Sequence, residues 1–422
     1  MKYTLPRGTR DLLPDENDVF AYLEHEFVSI LRNYNYREIK TPIFESSELF
    51  ERAVGEDTDI VNKEMYTFQD KGGRNITLRP EGTASVVRAY LQNNAYFQKQ
   101  KLVKLYYSGP MFRYERPQAG RYRQFYQLGI EAIGSSSPFL DAEVTMMGIA
   151  MLEKVGFNDV IVSLNSVGCE VCRPVIRERV KGFVGSILPN LCEDCNSRYE
   201  NNPLRLLDCK KTNCQTFFSG MPDINEAQCH TCKDHFLSVI STLEANNVEY
   251  VLDPNLVRGL DYYTRTVFEI KADVLGVHNA VIGGGRYDNL IKEFGGRHTP
   301  AFGFAIGLDR LMLVLQKSGV KVPDSESLKF FIVGLGEKER EEAFKWLHKC
   351  RNLGYKSEFY YKDGSISNAL KEANKMKAEH AIIIGENEFD DKYITVKSLK
   401  NNKQVQVKDM QGLIDFQKDI NT

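Results

Sequence analysis

The amino-acid sequence predicts an α+β domain with a mostly antiparallel sheet flanked by helices, a cysteine-rich helical insertion within it, and a C-terminal α/β domain. Three observations carry this reading. Residues 106–134, YYSGPMFRYERPQAGRYRQFYQLGIEAIG, read as two strands joined by Pro117-Gln118-Ala119-Gly120, a polar Pro/Gly segment of the kind that closes a hairpin. Eight of the nine cysteines fall between Cys169 and Cys232, in a stretch that turns polar and irregular at Ser166. Past residue 329, strand-like segments alternate with helical ones. The predicted bounds are 1–165 and 247–320 for the first domain, 166–246 for the insertion, 321–328 for a linker and 329–422 for the last domain.

A chain of 422 residues is long enough for two or three domains with separate cores. Its 42% hydrophobic and 27% charged residues are ordinary for a soluble protein. No apolar run approaches membrane-spanning length and MKYTLPRGTR lacks an apolar signal segment, so a cytoplasmic location and no membrane partner are expected. With a net charge of −2, any nucleic acid must be met by local basic patches.

In chain order, 5–14 is rich in turn residues. Phe20, Leu23, Phe27, Ile30 and Leu31 then recur at helical spacing over 16–33. Residues 36–45 form an edge-like strand broken by Pro42. Residues 66–77 form a hairpin with Gly72-Gly73 at its tip, and LRPEGT (78–83) ends the strand and opens a helix at 84–92. Thr83 is placed to cap that helix; Glu81 comes too early to complete a capping box and has no such local role.

On the second arm of the central hairpin, alternation puts Gln124, Tyr126, Leu128, Ile130 and Ala132 on a core face. The opposite face carries Arg123, Phe125, Gln127, Gly129 and Glu131. An amide, an acid and a bare glycine waste burial there unless a polar ligand lies across them; a solvated face is the alternative. Arg113 adds a planar donor suited to phosphate or carboxylate. A helix follows at 137–155 and a strand at 158–165. Residues 281–288, VIGGGRYD, form a strand running into three glycines, and 302–312 form a strand meeting a helix whose first turn carries Arg310. In the last domain, strands at 329–333, 357–361 and 380–384 alternate with helices at 337–352 and 366–376, and basic and acidic residues nearly balance.

The cysteines come in pairs, Cys169/Cys172, Cys192/Cys195, Cys209/Cys214 and Cys229/Cys232. Two intervening residues let both thiolates of a tight turn reach one ion, and two such turns complete a tetrahedral zinc site. Eight thiols suffice for two structural zincs and four for one; buried free thiols are the alternative. His230 and His235 are substitute ligands, although His230, between two cysteines, is expected to point away.

FRYER, a short loop and RYRQFYQLGIEAIG resemble motif 2 of the class II aminoacyl-tRNA synthetases, in the form found in histidyl-tRNA synthetases. LVRGLDYYT (256–264) matches the signature peptide of that family, residues 302–312 resemble motif 3, and the long first helix with the Pro42 strand resembles motif 1, which forms a dimer interface. The resemblance covers essentially the full length. It implies ATP-dependent activation of L-histidine to histidyl-adenylate, then transfer to the 3′ end of tRNA(His), by a homodimer using ATP and Mg²⁺. Arg113 is expected to grip the α-phosphate, with Arg258 between it and the substrate carboxylate. The histidine site is expected to comprise Glu81, which holds the ammonium, Gly82, Thr83, Gln127, Glu131, Arg258, Tyr262, Tyr263, Gly283, Gly284 and Tyr287, with Glu131 and Tyr263 against the imidazole. Glu115 and Arg310 join Arg113 on ATP, Arg310 by stacking on adenine. Arg116, Gln118 and Arg123 are candidates for the tRNA acceptor end. Residues 329–422 become an anticodon-binding domain, in which Phe359, Tyr360 and Tyr361 either stack on bases or pack in the core. A non-catalytic paralogue, like the regulatory subunit of a bacterial ATP phosphoribosyltransferase, generally lacks the C-terminal domain and erodes Arg258 and its neighbours; this chain keeps both.

Overall fold

The computed structural model describes residues 3–421 except 56, 57, 210, 219, 222, 275, 276 and 321–326. It divides into two compact units, Met1–Val322 and Pro323–Thr422. The linker expected at 321–328 lies, up to residue 326, outside the described residues.

In the first unit the strands are β1 (Arg37–Glu38), β2 (Phe44–Ser46), β3 (Tyr66–Gln69), β4 (Asn75–Leu78), β5 (Val103–Phe112), β6 (Gln124–Ile133), β7 (Val160–Ser166), β8 (Tyr250–Leu252), β9 (Thr264–Val274), β10 (Val277–Arg286) and β11 (Ala301–Gly307). Eight of them make one sheet in the order β1-β5-β6-β11-β10-β9-β7-β8. Its pairings are antiparallel except at the two rims, where β1 runs parallel to β5 and β8 parallel to β7. The strand expected at 36–45 is split. Pro42, which lacks an N–H for a ladder, separates β1 from β2, and β2 joins β4 and β3 in a small second sheet.

Alternation along the strands separates two apolar clusters. One buries Leu128, Ile130, Ala132, Phe268, Ile270, Phe302, Phe304 and Ile306 with helices Pro14–Asn33, Pro138–Lys154, His230–Ala245 and Leu308–Ser318. The first helix has Pro at its start, Asp15 and Glu16 in its first turn and Arg32 in its last, and buries Phe20, Leu23, Phe27 and Leu31. The other cluster, with Tyr107, Met111, Ile133, Val267 and Ala301, packs against helices Ser47–Val54 and Thr83–Gln92. Gln127, Gly129, Glu131, Glu269, Gly283, Gly303 and Ala305 alternate with the first set, so the polar functions share the face away from the long helices.

The cysteine-bearing stretch contains helices Cys172–Val184, Glu193–Asn201 and Thr212–Phe218, and has its own apolar cluster of Ile176, Val180, Val184, Leu206 and Phe218 with the thiols. No helix among the described residues is long and apolar enough to cross a membrane.

The second unit carries β12 (Phe330–Gly334), β13 (Ser357–Phe359), β14 (His380–Ile384), β15 (Ile394–Ser398) and β16 (Gln404–Val407), in the order β13-β12-β14-β15-β16. The parallel core of three strands is the expected α/β pattern; the antiparallel pair β15 and β16 extends it. Phe359 and Tyr360 are buried in its cores, which removes them from the candidate base-stacking residues, whereas Tyr361 is 69% exposed.

Candidate active site

Glu131 lies near the C-terminal end of β6, 1% exposed. Its carboxylate accepts from the Thr83 hydroxyl at 2.7 Å and from the Tyr287 hydroxyl. Burial pushes its pKa up to about 8; the nearby Glu81 charge pushes the same way, against the hydroxyls of Tyr287, Thr83 and Tyr107. Gly303, its cross-strand partner on β11, is bare for a reason: a Cβ there would strike the Glu131 carboxylate.

Glu81 corrects an expectation. Its two carboxylate oxygens accept the backbone N–H groups of Thr83 and Ala84 at 2.6 and 2.8 Å, so Glu81 itself caps the helix Thr83–Gln92. Thr83, expected as the cap, is the first helical residue and turns its hydroxyl to Glu131. Burial raises the Glu81 pKa, and these two amides pull it back.

Arg258 enters from the segment before β9, forms an ion pair with Glu269 of β9, and lies over Gly283 of β10, where a Cβ would land on the guanidinium. Gly284 departs from expectation. A Cβ there meets Gly303 O and Phe304, so it serves close strand packing and not the floor of the site. Arg113 donates through Nε to Pro80 O at 2.9 Å and lies over the Phe125 ring, 5.3 Å from its centroid. Arg310 donates to Ala280 O at 3.0 Å, and the neighbouring Asp309 ties the helix start to β6 by accepting Tyr126 N–H at 2.7 Å.

These groups surround one cavity of about 260 Å³, lined by Glu81, Tyr107, Arg113, Gln127, Arg258, Tyr262, Tyr263, Glu269, Gly283 and Arg310 among others. Thr83, Glu131 and Tyr287 lie buried behind that lining. Gln127 Oε1 and Arg258 Nε are buried with no hydrogen-bond partner among the described residues, a costly arrangement that a polar ligand would relieve. Glu115 sits beside Arg121 at 3.4 Å and Arg113 at 3.9 Å. Arg116 and Gln118 are exposed on the hairpin loop. Arg123 instead stacks 3.6 Å over the Tyr114 ring and bonds to the N-terminal segment through Gly8 O and Arg7 O, so it is held against the fold.

Sequence reasoning missed Tyr107 and Glu269. Tyr107 lies across from Gly129 in the β5–β6 register, and a Cβ on either Gly82 or Gly129 would strike its ring. A tyrosine facing a mid-strand glycine was the available signal. Also missed was a buried network. Fully buried Arg286 pairs with Asp141 and, at 3.0 Å, with Asp288, while His235 bonds to Asp141 at 2.8 Å.

The eight clustered cysteines fall into two four-thiol groups, Cys169/Cys172/Cys229/Cys232 and Cys192/Cys195/Cys209/Cys214, each with its sulfurs within 4.8 Å of one another. His230 is turned outward to Asp234 and His235 is taken by Asp141, so neither joins them.

An eight-stranded, mostly antiparallel sheet with arginines and buried carboxylates on its open face, followed by an α/β unit, is the fold of a class II aminoacyl-tRNA synthetase. The family model described as Histidyl-tRNA synthetase matches residues 8–178 and 218–311, and one described as Anticodon binding domain matches 329–417. The chain belongs to the histidyl-tRNA synthetase family. It is 48% identical over 407 residues to a histidine–tRNA ligase of Halothermothrix orenii, covering 96% of this chain and 97% of that one. It is 47% identical to that of Desulforamulus reducens, with the same coverage. The apo structure of histidyl-tRNA synthetase from S. aureus superposes with a TM-score of 0.83 at 36% identity, covering 98% of this chain and 99% of that one.

Proposed function

We propose that the chain is a histidine–tRNA ligase. A carboxylate oxygen of L-histidine bonds to the α-phosphorus of ATP as the bond to pyrophosphate breaks; a 3′-terminal ribose hydroxyl of tRNA(His) then takes the histidyl group and AMP leaves. No general base is required for the first step, because the histidine carboxylate is already ionised near pH 7. The observation that carries the reading is that Arg113 and Arg258, from distant segments, line one cavity with Glu131 buried behind it. Guanidinium groups held there by Pro80 O and Glu269 offset the charge that builds on the α-phosphorus. The remaining lone pairs of Glu81 and Thr83 suit an ammonium, and Glu131, Tyr263 and Tyr287 suit an imidazole. Mg²⁺ bound with ATP would supply charge neutralisation at the β- and γ-phosphates, and Glu115, a hard oxygen donor beside Arg113, would suit it. The cysteines, gathered in closed four-thiol groups, suit structural zinc and not chemistry.

The exposed Ile43, Phe44 and Phe68 on and beside the small sheet support a homodimer contact next to Pro42. Residues 166–246 form the insertion of this reading, 329–422 meet the anticodon, and the cytoplasm is its place. ATP–pyrophosphate exchange run with each amino acid tests the assignment: exchange with histidine alone is expected, exchange with a different amino acid corrects the substrate, and exchange with none returns the regulatory reading.

A further inference from the structure

Within each four-thiol group the sulfur separations are those of a coordination shell. They are 3.7 Å for Cys169–Cys172, 3.9 Å for Cys169–Cys229 and 3.9 Å for Cys192–Cys209. A tetrahedron with zinc–sulfur bonds of about 2.3 Å has edges of roughly 3.8 Å, whereas a disulfide brings its sulfurs to about 2.05 Å. All eight thiols are free. Each group is also built on helix starts: Cys172 opens Cys172–Val184, Cys192 caps Glu193–Asn201 and Cys229 caps His230–Ala245. Backbone amides point at sulfur, Cys229 N to Cys172 Sγ at 3.1 Å and Cys192 N to Cys214 Sγ at 3.4 Å. Four thiols, with no fifth His, Cys, Asp or Glu donor in either group among the described residues, make a closed site.

What these groups hold is the segment that carries Arg258. Arg173, next to Cys172, donates through Nη2 to Asp261 O at 2.9 Å and to Tyr263 O. Arg205, between Cys195 and Cys209, donates to Gly259 O at 2.6 Å. Arg198, three residues past Cys195, bonds to Asp59 at 2.9 Å, beside the cavity-lining Ile60. Residues 257–263 form no helix or strand. Three of their carbonyls therefore depend on two guanidinium groups whose backbones are fixed by the thiol turns.

We propose that the two four-thiol groups are zinc centres that brace the histidine site, holding the Arg258–Tyr263 segment in its working shape through Arg173 and Arg205. The inference deepens the ligase reading and rests on it for its kinetic arm. Arg173 and Arg205 are positioning residues, since neither is expected to touch substrate.

The test uses full-length protein purified without chelator. Elemental analysis is expected to give two zinc per chain; fewer than two, or iron with visible absorbance, overturns the centres. Arg205→Met and Arg173→Met should keep both zincs, raise the histidine KM in pyrophosphate exchange by about tenfold or more, as expected for the loss of at least one charge-assisted bond, and leave the ATP KM within about twofold. Amide hydrogen exchange across residues 257–263 should quicken in both variants, a readout that does not need activity. Cys192→Ser should lose one zinc and show the same quickening. Full zinc with unchanged histidine KM and unchanged exchange at 257–263 overturns the brace. Quickened exchange in a wild-type background that activates no amino acid would uphold the brace and sink only the ligase reading.

Discussion

Replacing Glu131 by Gln removes an ionisable group from the interior of the sheet while keeping the side chain's shape; the Thr83 and Tyr287 hydroxyls bond separate carboxylate oxygens, so the amide oxygen serves one and the amide NH₂ donates to the other. Burial first, and Glu81 besides, lift this carboxyl from its ordinary 4.5 to about 8. An acid raised on folding holds its proton longer in the folded chain, so its contribution to stability is full below pH 4.5 and is lost as the pH climbs through about 8. Midway between those values the loss runs at about 1.4 kcal/mol per pH unit and it slackens to half that at pH 8, which gives about 2 kcal/mol from pH 6 to pH 8. For a unit of this size that corresponds to a fall in Tm of about 3 °C. Thermal melts of both proteins at pH 6 and pH 8, without substrate, provide the comparison, and the other titrating groups cancel in the difference. The wild type should lose about 3 °C more than E131Q over this interval. Parallel profiles, or a steeper loss in E131Q, would refute the claim that this carboxyl is protonated in the folded chain at pH 6. If an imidazole N–H bonds to it, histidine binding at pH 7 should release close to one proton, read by calorimetry in two buffers of different ionisation enthalpy.

Three further outcomes are expected. Gly283→Ala should drive a methyl into the Arg258 guanidinium and lower kcat/KM for histidine by about tenfold or more while the melt hardly moves; unchanged kinetics would mean that Arg258 works elsewhere. Arg286→Met should cost about 3–5 kcal/mol in denaturant unfolding, because it strands the buried Asp141, and a loss under about 1 kcal/mol would contradict that pairing. Tyr361→Ala, on the exposed side of the second unit, should leave pyrophosphate exchange intact and weaken tRNA charging by roughly the 1–3 kcal/mol of one stacked base; equal charging would remove it from the anticodon surface.

The strands and helices that build the site were legible because each follows a local rule. Ile130 and Ala132 alternate with Gly129 and Glu131, Pro138 opens its helix, and Arg310 sits in a first turn. The motif peptides located the polar groups around the cavity. What stayed hidden depends on partners remote in sequence. Nothing near Glu81 announces that its carboxylate folds forward onto the amides of Thr83 and Ala84, and capping rules pointed to Thr83 instead. Glu269 and Asp141 read as isolated acids until Arg258 and Arg286 are brought against them. Phe359 and Tyr360 are as aromatic as Tyr361, and only packing tells them apart. The cysteine spacing suggested metal, but which pairs join was set by folding.

The large sheet ends in a two-residue strand on one side and a three-residue strand on the other, both running with their neighbours. So short a border offers a passing chain almost no ladder to extend. Glu131, Gly283 and Gly303 sit on the interior strands β6, β10 and β11, so breathing at either margin must travel through whole strands before it disturbs the place where substrate is read.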